Sequence, residues 1–362
     1  MNKNHKRGVG YWAARAKRER RRRWQVEKRR IKRGGLPRIG ALGAGKITYV
    51  RVAAPPILDL FGTKYRPQAA GFLHQIRRHS RQQNVGIRLD LSRVTAMWSP
   101  TALRIRAEID RALACRANPK PFLCIRPVDH KMDEVFAQIG IYEAIGLKCD
   151  ISSKRDDVMH WRLATGVLSE GVKGGSLLEQ YEGRLAEGLK RGLYGGIIEA
   201  MTNTVQHAYE GRDGEALRHN IGKRWWLLSQ ERNDILTVAI CDLGIGISES
   251  LPRSGTFSVE AVTDMLKGLG IARTDANAIR AAIELGRTRT NIKGRGRGLH
   301  DIVEAVNLSE AGRVMIGSNR GMFTTTEGKS YARNFGDSVP GTIIWWTVGI
   351  TDDEQDIGTN RD

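Results

Sequence analysis

The most informative segment of the sequence is GGIIEAMTNTVQHAYEG, residues 195–211. It places Glu199, Asn203 and His207 four residues apart. On an α-helix this spacing keeps the three side chains near one face, with a drift of about 40° per step. The other residues at the start of the segment are mostly apolar. A carboxylate, a carboxamide and an imidazole on one face of an apolar helix therefore predict either a functional site or a buried ladder of satisfied polar groups.

A glycine-rich turn follows in VAICDLGIGI, residues 238–247. The apolar run predicts a buried strand that ends at Asp242. Gly244 and Gly246 permit positive φ or a close backbone approach in the turn after the strand. The alternative to a site here is an ordinary turn.

A second glycine-rich turn lies in KGRGRGLHDIVEAV, residues 293–306. Its glycines precede an apolar-periodic helix that starts at Leu299. Backbone N–H groups at a helix start, together with the helix dipole, form an anion site, which the interleaved Lys and Arg residues strengthen. Further along, PGTIIWWTVGI predicts a strand entered through Gly341 and Thr342.

Taken in order, these motifs resemble those of the Bergerat-fold ATPases, also called the GHKL or histidine kinase-like ATPases. The matching positions are an N-box at Glu199, Asn203 and His207, a D-x-G-x-G-I box at 242–247, a G-x-G-x-G-L box at 294–299, and Gly341-Thr342. The N-box is most similar to that of the bacterial anti-sigma serine kinases. The resemblance implies a Bergerat-fold α/β sandwich that binds ATP over residues 151–350.

The resemblance also implies roles for single residues. Glu199 would act as the general base, and Asn203 would bind Mg²⁺ through its carboxamide oxygen. Asp242 would accept a hydrogen bond from the adenine amino group, while Gly246 lets the base approach the backbone. His207 would order the helix or contact a phosphate, and we favour the structural role. The expected nucleotide-binding residues are Asn203, His207, Asp242, Gly244, Gly246, Lys293, Gly294, Gly296, Gly298, Leu299 and Thr342.

A long insert separates the two glycine boxes. Residues 248–293 are predicted to contain two helices, SVEAVTDMLKG and DANAIRAAIELG. In the family, an insert at this place is a lid that closes over the phosphates. The basic segment 286–298 is either a solvated loop or, as we favour, a source of triphosphate ligands among Arg287, Arg289 and Lys293.

Residues 41–150 are predicted to form a separate α/β domain. Ile87–Leu91 predicts a buried strand and a helix starts near Pro100, with Ser99 expected as its N-cap. The pattern LDLSRVTAMWSPTAL resembles STAS domains, in which Asp-Ser at this helix start carries a phosphorylated serine. Trp98 replaces that Asp here, so capping is favoured over phosphorylation for Ser99.

The first 40 residues form a basic arm with 16 Lys or Arg against two Glu. They have too little apolar surface for a core and are expected to be disordered or to form a lone helix. Such an arm attracts polyanions, so residues 1–38 are predicted to bind nucleic acid, although a solubilising tail without a partner is the alternative. Residues 351–362 form a short acidic tail.

Composition adds two expectations. The four cysteines show no metal-type spacing, and they indicate reduced core residues of a cytoplasmic protein. The chain contains no apolar run of 18 residues, so no membrane span is predicted.

The sequence therefore predicts an Mg-ATP-dependent switch, either an ATPase or a protein serine kinase, whose lid closure is coupled to the STAS-like domain. The alternative is an ATP-gated nucleic-acid-binding or regulatory protein with little turnover. A histidine kinase is disfavoured because no helical hairpin with a phosphoacceptor His precedes the ATPase segment. Either hypothesis is compatible with a regulatory protein partner.

Overall fold

The computed structural model describes residues 47–82, 84–115, 122–153, 155–169, 184–185, 187–209, 223–251, 264, 267, 272, 274–288, 298–307, 309 and 312–350. The basic arm, the acidic tail and much of the expected lid lie outside these residues. Thr48–Asp362 forms one compact unit by its internal contacts. The described part of this unit is a mixed α/β structure with two main sheets.

The first part of the unit contains a three-stranded parallel sheet in the order β1-β3-β5, beside a short parallel pair of β2 with β4. Its elements are β1 (Thr48–Ala53), β2 (Ile57–Leu58), α1 (Arg66–Ser80), β3 (Val85–Asp90), β4 (Ala96–Met97), α2 (Ser99–Ala114), β5 (Phe122–Ile125), α3 (His130–Gln138), α4 (Ile141–Ala144) and α5 (Asp156–Met159).

The second part contains a five-stranded antiparallel sheet in the order β6-β7-β8-β10-β9. Its elements are β6 (Arg162–Gly166), α6 (Glu187–Asn203), a π-helical turn (Thr204–Ala208), β7 (Trp225–Arg232), β8 (Ile235–Asp242), α7 (Ile247–Ser250), α8 (Asp275–Thr288), α9 (Gly298–Asn307), β9 (Arg313–Thr326) and β10 (Lys329–Gly349).

Both faces of the five-stranded sheet are buried. On one face Trp225 and Trp346 pack with α6, α8 and α9 in one hydrophobic core. On the other face Trp226 and Trp345 belong to the core that also contains the parallel sheet and helices α1 and α2. Strands buried on both sides need apolar residues at successive positions, which explains the runs WWLL, VAIC and IIWW. The two expected domains therefore meet through a shared core.

Several predicted elements are confirmed. A strand at Val85–Asp90, a helix from Ser99 and a helix at Asp275–Thr288 occur where the patterns indicated them. The segment MDEVFAQIGIYEAIG, residues 132–146, has the pattern of one helix but forms the end of α3 and then α4, because Gly140 adopts a φ of 70° between them. No helix in the described part of the chain is long and apolar enough to cross a membrane.

The expected N-cap at Ser99 is wrong. Trp98 occupies the cap position with an extended backbone, and no side chain caps the helix. Ser99 is the first helical residue and is buried. The shift arises because the Trp98 N–H donates to the Leu58 carbonyl at 3.2 Å, which keeps Trp98 in line with the short β2–β4 pair.

Candidate functional site

The site is centred on Asp242, the last residue of β8. Its side chain is buried, and Oδ1 accepts hydrogen bonds from the N–H groups of Gly244 at 2.8 Å and Thr342 at 3.1 Å. The Thr342 side chain also hydrogen-bonds the carboxylate. One carboxylate thus joins two motifs that are 100 residues apart in sequence.

The environment of Asp242 disfavours its charged form. Burial raises the pKa of this carboxyl above its ordinary value. The Gly244 hydrogen bond, the charge of Arg104 and the Thr342 hydrogen bonds act in the opposite direction. When it is ionised, a carboxylate has about four acceptor positions, so in that form Asp242 can accept from an amino group besides the Gly244 and Thr342 donors.

The turn after Asp242 has no room for side chains at its two glycines. A Cβ on Gly244 would lie 2.0 Å from the Ala208 carbonyl oxygen, which also accepts the Ile245 N–H at 2.8 Å. Gly246 has a φ of 82°, and a Cβ there would lie 2.4 Å from Nδ2 of Asn319. Both positions therefore require glycine, one for close approach and one for positive φ.

The N-box helix ends against this turn. Glu199 and Asn203 are half-buried near the end of α6, and Asn203 is its last residue. The expected continuous α-helical ladder is wrong at His207, which lies in the π-helical turn Thr204–Ala208. Because a π turn bonds five residues back instead of four, His207 leaves the α-helical alignment of the other two side chains.

Tyr209 connects the N-box to the strand ends. Its buried hydroxyl donates to the Arg224 carbonyl at 2.6 Å and accepts the Leu243 N–H at 3.1 Å. Burial raises the pKa of this phenol, so it stays neutral. Sequence reasoning did not identify Tyr209, because one aromatic residue after the N-box carries no pattern of its own.

Asn319 is a second polar residue that sequence reasoning missed. It lies on β9, and its Nδ2 donates to the Ile245 carbonyl at 2.9 Å while its Oδ1 accepts the Gly341 N–H at 3.3 Å. It therefore bridges the turn after Asp242 and the start of the Gly341-Thr342 pair. Its φ of 52° marks a left-handed residue inside a strand pair with a register shift.

The second glycine turn is described only at its end. Gly298 opens α9 and Leu299 is half-buried, whereas Lys293, Gly294 and Gly296 lie outside the described residues. Helix α9 packs directly on α6, since a Cβ on Gly196 would lie 2.2 Å from Cγ1 of Ile302. The second glycine motif therefore leads into a helix that packs on the N-box helix.

Two groups in this region have metal-binding chemistry. The Asn203 side chain offers a carboxamide oxygen, a hard ligand of the kind that Mg²⁺ accepts. On α9, His300, Asp301 and Glu304 place possible ligand atoms within 4.8 Å of one another. That second group lies on one partly exposed helix face, and its geometry alone selects no ion.

In comparisons with known proteins, no family model, curated protein or solved structure matches the chain. The functional interpretation therefore depends on the motifs and on the geometry around Asp242.

Proposed function

We propose that the chain binds Mg-ATP in a Bergerat-type site and either hydrolyses it or transfers its phosphate to a protein serine. The observation that carries the proposal is the position of Asp242. Its buried carboxylate holds both the turn after β8 and Thr342, and that turn contacts Ala208, the last residue of the π-helical turn that follows the N-box helix. In the family these motifs surround one nucleotide, and here direct contacts among the described residues bring three of them together. These contacts support the proposal.

The roles follow from the chemistry of each group. Asp242 would accept a hydrogen bond from the adenine amino group, Gly246 would let the base approach the backbone, and Asn203 would supply an oxygen ligand for Mg²⁺. The ion, when bound, offsets phosphate charge. Glu199, one helical turn before Asn203, orients and deprotonates the attacking water or hydroxyl. The G-x-G-x-G segment 294–298 would bind the β- and γ-phosphates through backbone N–H groups, and of this segment the structure describes Gly298, the first residue of α9.

Asp242→Asn tests the adenine contact. The carboxamide puts a donor group where an acceptor is required, so we expect ATP affinity to fall by about 1.5–3 kcal/mol. Calorimetric titration of the folded variant with ATP and with GTP measures the change. Asp234→Asn is the matched control, because Asp234 is exposed in the turn before β8. Unchanged ATP affinity in the Asp242 variant would refute the assignment of this site.

The basic arm supports a partner proposal that is independent of the ATP site. Residues 1–40 carry a net charge of +14 of the chain's +20. We propose that residues 1–38 bind nucleic acid, with an affinity that declines steeply between about 50 and 200 mM salt as counterions are released.

Deletion of residues 1–38 tests this partner. We expect at least about tenfold weaker binding to nucleic acid at low salt and unchanged affinity for ATP. A gel-shift titration measures the first quantity and calorimetry the second. A chain that lacks only residues 351–362 serves as the control. If the intact protein binds no nucleic acid at low salt, the partner proposal is wrong.

A further inference from the structure

A buried arginine of the first part of the unit contacts the main chain of the candidate site. Arg104 on α2 is 1% exposed. Its two terminal nitrogens donate to main-chain carbonyls, Nη1 to that of Asp242 and Nη2 to that of Pro340. Asp242 begins the turn that contains Gly244, and Pro340 lies two residues before Thr342. The Asp242 carboxylate joins these same two segments. One guanidinium therefore contacts both segments through their main-chain carbonyls.

The position of Arg104 is itself held by charge. Oε1 of Glu108, one turn along α2, lies 3.9 Å from Nη2 of Arg104, and Oε2 of Glu108 accepts from Nε of Arg111 at 2.8 Å. Arg77 on α1 also pairs with Glu108. A buried guanidinium is costly without such compensation, and Glu108 supplies part of it, since this one carboxylate serves three arginines. The side chain is therefore held in place by compensating charge.

The segment before Thr342 is closely packed around this arginine. Gly341 has a φ of 103°, and a Cβ there would lie 2.4 Å from the Asp242 carbonyl oxygen and 3.1 Å from Nη1 of Arg104. The Thr342 N–H reaches the carboxylate only if this glycine backbone stays against Asp242. The two carbonyl contacts of Arg104 hold the backbone there.

Arg104 also sets the charge around Asp242. Among the described residues, this carboxylate interacts electrostatically with Arg104 from α2, with Tyr209 just after the N-box and with Cys241 from the same strand. Burial raises the pKa of the Tyr209 phenol and raises that of the Cys241 thiol to about 12, so both are neutral. Arg104 is the positive group among the three.

We propose that Arg104 is the positioning residue of the ATP site: it holds Asp242 and Thr342 in the arrangement that binds adenine, although it lies on a helix outside the ATP-binding motifs. The inference rests on the proposed function. If Arg104 has this role, α2 of the STAS-like segment stabilises the nucleotide site directly. This role is additional to the proposed coupling of the STAS-like segment to lid closure.

The test uses the full chain with Arg104→Met and Arg104→Lys, and ATP as the titrant between about pH 5 and pH 8. We expect Arg104→Met to lose about tenfold or more of the ATP affinity. In the wild type and in both Arg104 variants, we expect the affinity for ATP to decrease as the pH is lowered, because Asp242 becomes protonated. Without the positive charge this carboxyl protonates more easily, so the fall should begin at a higher pH in Arg104→Met than in the wild type.

Arg104→Lys separates charge from geometry. A lysine keeps the charge but cannot span two carbonyls as the fork-shaped guanidinium does. We expect its pH midpoint to return toward that of the wild type while its affinity stays intermediate. Arg106→Met is the matched control, because Arg106 lies on the same helix and donates to the carbonyls of Ile139 and Gly140 instead. Its ATP affinity and pH midpoint should match the wild type.

The outcomes distinguish the two proposals. If the wild-type protein does not bind ATP, the proposed function is wrong, and the positioning role of Arg104 is then wrong as well. If Asp242→Asn loses ATP binding while both Arg104 variants keep wild-type affinity and the wild-type pH midpoint, only the positioning role is overturned. If Arg104→Met fails to fold, the lysine variant alone decides, and a wild-type affinity in it refutes the positioning role.

Discussion

We expect the Glu199→Ala variant to bind Mg-ATP with nearly wild-type affinity and to consume it about 10²–10⁴-fold more slowly. The reason is that a general base acts mainly in the transition state, so its loss lowers turnover more than binding. Glu199 is half-buried one helical turn before Asn203, on the helix that ends against the Asp242 turn. Labelled ATP, scored for both free phosphate and labelled protein, measures turnover and separates hydrolysis from transfer.

Two comparisons make this result specific. Asn203→Ala should lose the Mg²⁺-dependent part of the ATP affinity, whereas Glu199→Ala should keep it. Gln206→Ala is the control, because Gln206 is exposed in the π-helical turn that follows. A wild-type rate in Glu199→Ala would place the base elsewhere. ATP binding without turnover in the wild type would favour the alternative, an ATP-gated binding protein.

The elements around the site were predictable because their signals are local. Buried strands require continuous apolar runs, and tight backbone approaches require glycine, so Asp242, Gly244 and Gly246 were identified from sequence and occur together in the structure. Helix α9 was predictable for the same reason, and it begins at Gly298, one residue before the predicted start at Leu299. These features depend on the conformational limits of a few neighbouring residues.

The parts that escaped prediction depend on contacts between distant segments. Arg104 lies in the helical pattern of α2, and nothing in that pattern shows that its guanidinium reaches residues 138 and 236 positions away. The π-helical turn at His207 accommodates the close contact of Ala208 with Gly244, which a helix pattern does not encode. The packing of α1 and α2 on the second face of the five-stranded sheet is equally non-local.

We expect Glu108→Gln to lower the free energy of unfolding by about 3–5 kcal/mol. The substitution removes the buried carboxylate and leaves the neighbouring arginines without a negative partner. Glu108 is fully enclosed and pairs with Arg77 and Arg111, with Arg104 nearby. Denaturant unfolding at about neutral pH measures the loss. Glu134→Gln is the control: its partner Arg155 is half exposed, and exposed pairs contribute at most about 1 kcal/mol.

The same carboxylate predicts acid sensitivity. Burial alone would raise the pKa of Glu108, but the charges of Arg77, Arg111 and Arg104 outweigh it and lower the pKa from 4.5 to about 2. A carboxyl whose pKa is depressed in the folded state stabilises the protein above its unfolded pKa. That stability is lost as the pH falls from 4.5 toward 2. The wild type should therefore lose stability over this range more steeply than Glu108→Gln. Equal stability of the two proteins at neutral pH, with the same acid dependence, would show that Glu108 does not compensate these arginines. The fixed position of Arg104 would then need another explanation.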